Sequence, residues 1–355
     1  MIPGLINAHT HVAMAKFRGL GEDMPTEEWL EKIIWPMELE WTTSEIREWA
    51  RIGIMEALMN GSTTINDHYF FADEIAREAE KMGIRAFIGQ TVMDLVDFPH
   101  ADPEEGFKFF RRWQEKSELV TPTLAPHATN TVSLELMREM AELSEETNAR
   151  IHVHLAQSRA EVKEVKRRYG LKPVEYLKQA GGALSDRLIG VHGVYLTNEE
   201  IRTLASAGST LVHCPTSNVK LEGTTINLPE VLHAGGVNVA IGNDSPNPVG
   251  IMDMFLEMRT SALFANILER KAHSIPARKI FEIATVGGGA RALGGIKAGL
   301  IREGYLADLL LIDARKSWFK PRESPYSLLV YSARGGSDVV MTMVNGKIVW
   351  KKGGE

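Results

Sequence analysis

The feature that most constrains the fold of this chain is a repeated alternation of short, β-rich apolar runs with longer segments of helical periodicity. The runs are LINAHTH, STTINDHYF, RAFIGQTV, TPTLAPHA, RIHVHLA, LIGVHG, STLVHCP and VNVAIGND. Helix start signals lie between them. Ser158-Arg-Ala-Glu161 and Thr197-Asn-Glu-Glu200 each have the form of a capping box, and Gly170 stands where the first of these helices would close. Such alternation predicts a parallel α/β architecture. A doubly wound open sheet is one solution, but it concentrates ligand chemistry at a single switch point. Here nearly every run ends in polar or metal-competent side chains: His9, His11, Asp67, His68, Gln90, His127, His154, His192, His213 and Asp244. A (β/α)8 TIM-like barrel gathers the ends of all its strands at one face and accounts for that distribution.

The pattern changes after residue 298. AGLIREGYLADLLLID and DVVMTMVNGKIVWKKGG read as antiparallel strands, with Asn345-Gly346 as a hairpin turn. The expected organisation is therefore a barrel over 1–298 and a small β-sandwich appendage over 299–355. The glycine-rich stretch VGGGARALGG at 286–295 lacks the βαβ context and downstream acid of a dinucleotide site, so it is read as a turn or a close helix contact.

Composition narrows the partners. A net charge of −6 gives no electrostatic case for nucleic acid or an anionic membrane, and no apolar run is long enough to span a bilayer. The single cysteine, Cys214, excludes a disulfide framework and fits a reducing cytoplasm. A cytoplasmic protein acting on a small molecule is the expectation.

The chemistry rests on a few positions. His9-Thr-His11 ends the first run, and alternate residues of a strand share a face, so both imidazoles can reach one ion. His154 ends the fifth run and Asp244 the eighth. Three imidazoles and a carboxylate, with room for water, describe a catalytic site for zinc or a similar divalent ion. His152 faces inward one layer below His154 and reads as filler, while His213 could be either filler or functional.

PGLINAHTH, APHA, HVHLAQ, GVHGVYL, HCPTSNVKL and IGNDSPN together resemble the amidohydrolase superfamily. More narrowly they resemble its cytosine-, guanine- and triazine-type deaminases and chlorohydrolases, especially the methylthioadenosine/S-adenosylhomocysteine deaminases. The resemblance runs from residue 2 to about 350. It implies one divalent metal ion, zinc first and iron or manganese next, held by His9, His11, His154 and Asp244. It also implies His192 beside the metal's water, His127 against the substrate, and Glu38 of WPMELEW at the ribose hydroxyls. Metal-activated water would then be the nucleophile, with Asp244 moving the proton and His192 steadying the developing charge. Without the resemblance, His127 and His192 also fit hydrogen-bonded interior histidines, and Glu38 a surface acid, although Trp35 and Trp41 beside it favour a cleft.

The chain departs from that family's pattern in three places. The deaminases carry a glutamate three residues after the fifth-strand histidine to shuttle a proton; here it is Gln157, an amide that cannot carry one. We therefore expect Gln157 either to read a substrate group or to mark a diverted reaction. Gln90 is expected to contact substrate, and the segment after it, VMDLVDFPHADPEE, has acids but no arginine, which disfavours a substrate bearing a carboxylate. The chain also starts almost on the first barrel strand, so the C-terminal strands are expected to lack partners and to offer an edge through which a homodimer could form. The function expected is a metal-dependent hydrolase acting on a C–N bond of a small nucleoside or N-heterocycle. The alternative is a metal-barrel binding protein that has lost deaminase activity through Gln157.

Overall fold

The computed structural model describes residues 1–21, 24 and 26–354. Its strands are β1 (Ile2–Pro3), β2 (Leu5–Thr10), β3 (Ser62–Tyr69), β4 (Arg85–Val92), β5 (Val120–Pro126), β6 (Ile151–Leu155), β7 (Leu188–His192), β8 (Thr210–His213), β9 (Asn238–Ile241), β10 (Leu309–Ile312), β11 (Val339–Val344) and β12 (Lys347–Lys351). Strands β2 to β9 form one parallel sheet in chain order, each matching one of the eight runs read from the sequence. Every residue in them except Thr121 is buried. Strands covered on both faces have no solvent side, which is why they read as apolar runs rather than alternating ones.

The ring closes just past β9. Thr10 and Asp244 form a parallel bridge, and the Asp244 amide donates to the His9 carbonyl at 3.0 Å. Below it, the Asn7 amide donates to Asn243 Oδ1 at 2.9 Å, and the Asn243 backbone returns the bond at 3.0 Å. A Cβ on Gly242 would lie 2.8 Å from the His9 nitrogen, so only glycine lets the two ends approach. The glycine-rich stretch serves a similar purpose. Gly288 and Gly289 place a short helix, Gly289–Ala292, against Val239 and Ile6 at distances no Cβ permits.

Local signals set most of the outer helices. Thr197 and Glu200 form the reciprocal capping box expected of them, and Gly170 ends helix Arg159–Tyr169 in a left-handed conformation at φ 73°. Ser158 caps that helix as expected. Glu161 does not complete the box, because its carboxylate is engaged elsewhere.

A second sheet runs antiparallel in the order β1-β10-β11-β12. Asn345 and Gly346 make its tight turn, with φ 49° and 77°. Two expectations are corrected here. Residues 299–308 form turns rather than strand, and helical turns occupy much of the segment between β10 and β11. The C-terminal strands are also not without an N-terminal partner: Ile2 and Pro3 pair with Leu310 and Leu309. Two residues are too few to show as a strand in a sequence.

Arg85 and Asp308 join barrel to sheet. Asp308 accepts from Arg85 Nε at 2.8 Å and Nη2 at 3.2 Å, and from the Asn345 amide at 2.8 Å, with both side chains buried. Removing one member of a buried pair strands the other charge. Asp308→Ala is expected to lower unfolding stability by about 3 kcal/mol or more, read from the midpoint of chemical denaturation.

Candidate active site

His9 and His11 leave β2 on the same face, and their Nε2 atoms lie 3.6 Å and 3.4 Å from Asp244 Oδ1. His154 Nε2 approaches His11 Nε2 at 3.4 Å. The other ring nitrogens are committed. His11 Nδ1 bonds the His68 carbonyl, His154 Nδ1 the His127 carbonyl at 2.7 Å, and His9 Nδ1 meets His152 Nε2 at 2.9 Å. His152 thus orients His9 rather than merely filling the barrel. His192 stands beside this group, its Nδ1 2.9 Å from Asn218 Oδ1 and its Nε2 without a protein partner.

This arrangement fits a divalent cation. His9 Nε2 is a buried nitrogen with no hydrogen bond, and ligand atoms of His9, His11 and Asp244 lie within 4.8 Å of one another, as do those of His9, His154 and His192. Two imidazole nitrogens meeting at 3.4 Å suit a shared cation, not a direct hydrogen bond between neutral rings. Burial lowers the pKa of His9, His11, His154 and His192, so the rings are neutral and present lone pairs. For Asp244 burial acts in the opposite direction. The contact with His9 and the surrounding imidazoles outweigh it, and the carboxyl is held below its ordinary range. Ser217 Oγ and the Ser245 amide also donate to this carboxylate, the amide at 2.6 Å. Both His192 (φ 75°) and Asp244 (φ 72°) adopt left-handed backbone, which turns the chain sharply as it leaves the barrel.

Above this cluster opens a cleft. His11, His154 and Asp244 form part of its wall, together with His127, Gln157, Glu38 and Tyr69. Its outer wall is apolar, built from Met14, Trp29, Leu30, Ile34, Trp35, Phe70, Met93 and Leu221. No lysine or arginine lines it among the described residues. Glu38 is buried, accepts from Tyr69 Oη at 2.6 Å, and has its pKa pushed up to about 8 by burial. Trp41 Nε1 donates to the same Tyr69 oxygen at 3.1 Å. His127 Nδ1 bonds Thr131 Oγ1 at 2.9 Å, and burial lowers its pKa to about 4.

Gln90 is not brought to the cleft. Its Oε1 accepts from the Ala72 amide at 3.0 Å, and its Nε2 donates to the Thr91 and His100 carbonyls. The physical reason lies in helix Ala72–Met82, whose N-cap residue is Phe71, a side chain that cannot accept a hydrogen bond. Gln90 supplies the missing acceptor, while the next residue, Thr91, faces the cleft. His213 stays interior, its Nδ1 unpaired and its pKa lowered to about 3 by burial. Sequence reasoning missed Tyr69 and gave no role to His68, a strand-end side chain it had noted; both stand at the end of the run STTINDHYF. It also missed most of the apolar outer wall, which separate segments assemble from Met14, Trp29, Leu30, Ile34, Phe70, Met93 and Leu221.

The amidohydrolase family model matches residues 1–349. A 5-methylthioadenosine/S-adenosylhomocysteine deaminase of Pyrococcus furiosus is 42% identical over 98% of this chain and 83% of its own length. A 5'-deoxyadenosine deaminase of Methanopyrus kandleri is 39% identical over 99% of this chain and 81% of its own. Among solved structures, an adenosine deaminase from Xanthomonas campestris with bound zinc superposes with a TM-score of 0.92 at 34% identity, covering 98% of this chain and 79% of that one. The chain belongs to the amidohydrolase family, and it is a hydrolase acting on carbon–nitrogen bonds.

Proposed function

We propose that this protein is a zinc-dependent deaminase of an adenine-type nucleoside whose far end is uncharged and apolar. The observation that carries the reading is the cleft itself: converging lone pairs at its floor, a buried carboxyl at its side, and an outer wall without a cation. The relatives' names supply the substrate class. Within it, the wall favours a deoxy or methylthio substituent over a homocysteine tail, whose carboxylate would meet an apolar wall with no lysine or arginine among the described residues.

His9, His11, His154 and Asp244 would hold the ion, which when bound acidifies water and polarises the carbon under attack. The remaining steps belong to the chain. Asp244, held ionised, accepts the proton of the attacking water and later delivers it to the leaving nitrogen. His192 is fixed in one tautomer. Asn218 Nδ2 donates to Thr225, so Asn218 Oδ1 accepts from His192 Nδ1–H and leaves Nε2 as a lone pair toward the reacting centre. That nitrogen can take the second proton of the water and pass it to the ring nitrogen that receives the electron pair as the carbon is attacked. His127 is held through Nδ1 by the Thr131 hydroxyl, which leaves Nε2 to hydrogen-bond a substrate group. Gln157 contributes hydrogen bonds to the heterocycle. Because it is an amide, proton delivery falls to Asp244 and His192.

Chelation is expected to abolish turnover and to lower the melting temperature, with zinc restoring both. Asp244→Asn is expected to reduce kcat by about 10³-fold or more, measured by ammonia release from zinc-loaded protein. A methylthio-capped nucleoside is expected to exceed the homocysteine-bearing one by about 100-fold in kcat/KM, a difference of about 2.7 kcal/mol. A ratio near one would remove the specificity argument.

Glu38 also makes a stability prediction. Its folded pKa of about 8 lies above its ordinary value of 4.5, so its contribution is fully present below pH 4.5 and is lost as pH rises through 8. Glu38→Gln is expected to flatten that decline by an amount on the order of a few kcal/mol, read from unfolding at pH 5 and pH 9.

A further inference from the structure

One buried carboxylate outside the converging imidazoles ties together two of the loops that frame the cleft. Glu161 sits in the first turn of helix Arg159–Tyr169, yet its side chain turns back across the barrel face. Oε1 accepts from Thr129 Oγ1 at 2.5 Å and from the Ala156 amide at 2.9 Å, and Oε2 accepts from the Gln157 amide at 2.7 Å. Thr129 lies two residues after His127, on the loop that follows β5. Ala156 and Gln157 lie just after His154, on the turn that follows β6. Ala156 is left-handed at φ 48°, a conformation alanine adopts only when its surroundings impose it.

We propose that Glu161 is a positioning residue, a latch that fixes the Gln157 turn against the His127 loop and so sets how the Gln157 amide meets the substrate. The geometry argues for this in two ways. All three donors come from loops that carry cleft residues, and a charged acceptor serving two consecutive amides holds a turn more firmly than one bond could. His154 lies within β6 itself, ahead of the turn that the latch holds. Burial pushes the Glu161 pKa up to about 6 while its hydrogen-bond donors oppose the shift, so the carboxylate remains the form present at neutral pH.

The kinetic consequence rests on the deaminase reading above; the latch itself does not. The test is Glu161→Gln in the full chain, read first by amide hydrogen exchange over residues 155–158. Exchange there is expected to accelerate about tenfold or more, with protection in β2 and β9 and zinc content unchanged. Unchanged exchange overturns the latch, whether or not any substrate is turned over. The second readout is a double-mutant cycle with Gln157→Ala. If Glu161 acts through Gln157, Glu161→Gln lowers kcat/KM about tenfold in the native background, mainly through KM, and less than about twofold when Gln157 is already alanine. Equal losses in both backgrounds would assign Glu161 a merely structural role. Should Glu161→Gln not fold, Thr129→Val keeps the carboxylate and cuts one tie. It is expected to accelerate exchange over 128–131, and no change there would count against the latch. Protein that never releases ammonia but shows the exchange effect would retain the latch and lose the deaminase reading.

Discussion

The hydrogen bond from the Asp244 amide to the His9 carbonyl is the contact on which the rest depends. It seals the parallel barrel between the first and last strands, and it fixes the Asp244 carboxylate beside the imidazoles of His9 and His11. Closure of the fold and assembly of the site are thus a single event. Gly242 permits the approach, and the Asn7–Asn243 pair beneath it satisfies amides that the seam would otherwise leave buried and unpaired. A barrel slipped by one residue at this seam would turn His9 and His11 outward and leave Asp244 without them.

From that seam the site is built outward in layers of committed hydrogen bonds. Backbone carbonyls of His68 and His127 and the ring of His152 take up the far nitrogens of His11, His154 and His9. His11 and His154, whose Nδ1 atoms donate to carbonyls, are each left with an Nε2 lone pair, and these two nitrogens meet at 3.4 Å beside Asp244. Asn218 holds the ring of His192, and Thr131 that of His127. Glu161 holds the turn that carries Gln157, and Tyr69 holds Glu38. Such pre-organisation matters because the reaction demands that charge be met where it develops, without side chains reorienting at that moment.

Most of this framework was legible in the sequence, and for physical reasons. Buried parallel strands must be apolar runs, and a barrel must present its chemistry at strand ends, so LINAHTH and RIHVHLA declared both their strands and the imidazoles that the fold brings together. The failures also have causes. Gln90 was read as a site residue because it is polar at a strand end. Its true partner was implied by FFADEIAR, a helix start with no capping side chain of its own. Glu161 was read as half of a capping box, a pattern that says nothing about a carboxylate turning toward the preceding strand end. Ile2–Pro3 was too short to register, and the Trp41–Tyr69–Glu38 chain joins residues up to 31 positions apart that no local rule connects.

We propose that Asp244 and His192 carry every proton while Gln157 only positions the ring. This is tested most directly by single-turnover ammonia release from a methylthio-capped adenine nucleoside, comparing zinc-loaded native protein with Gln157→Glu. On this account the native protein releases one equivalent of ammonia per site with the amide in place. If only Gln157→Glu releases ammonia, the account is contradicted, and the glutamine marks a cleft whose deamination chemistry has been switched off.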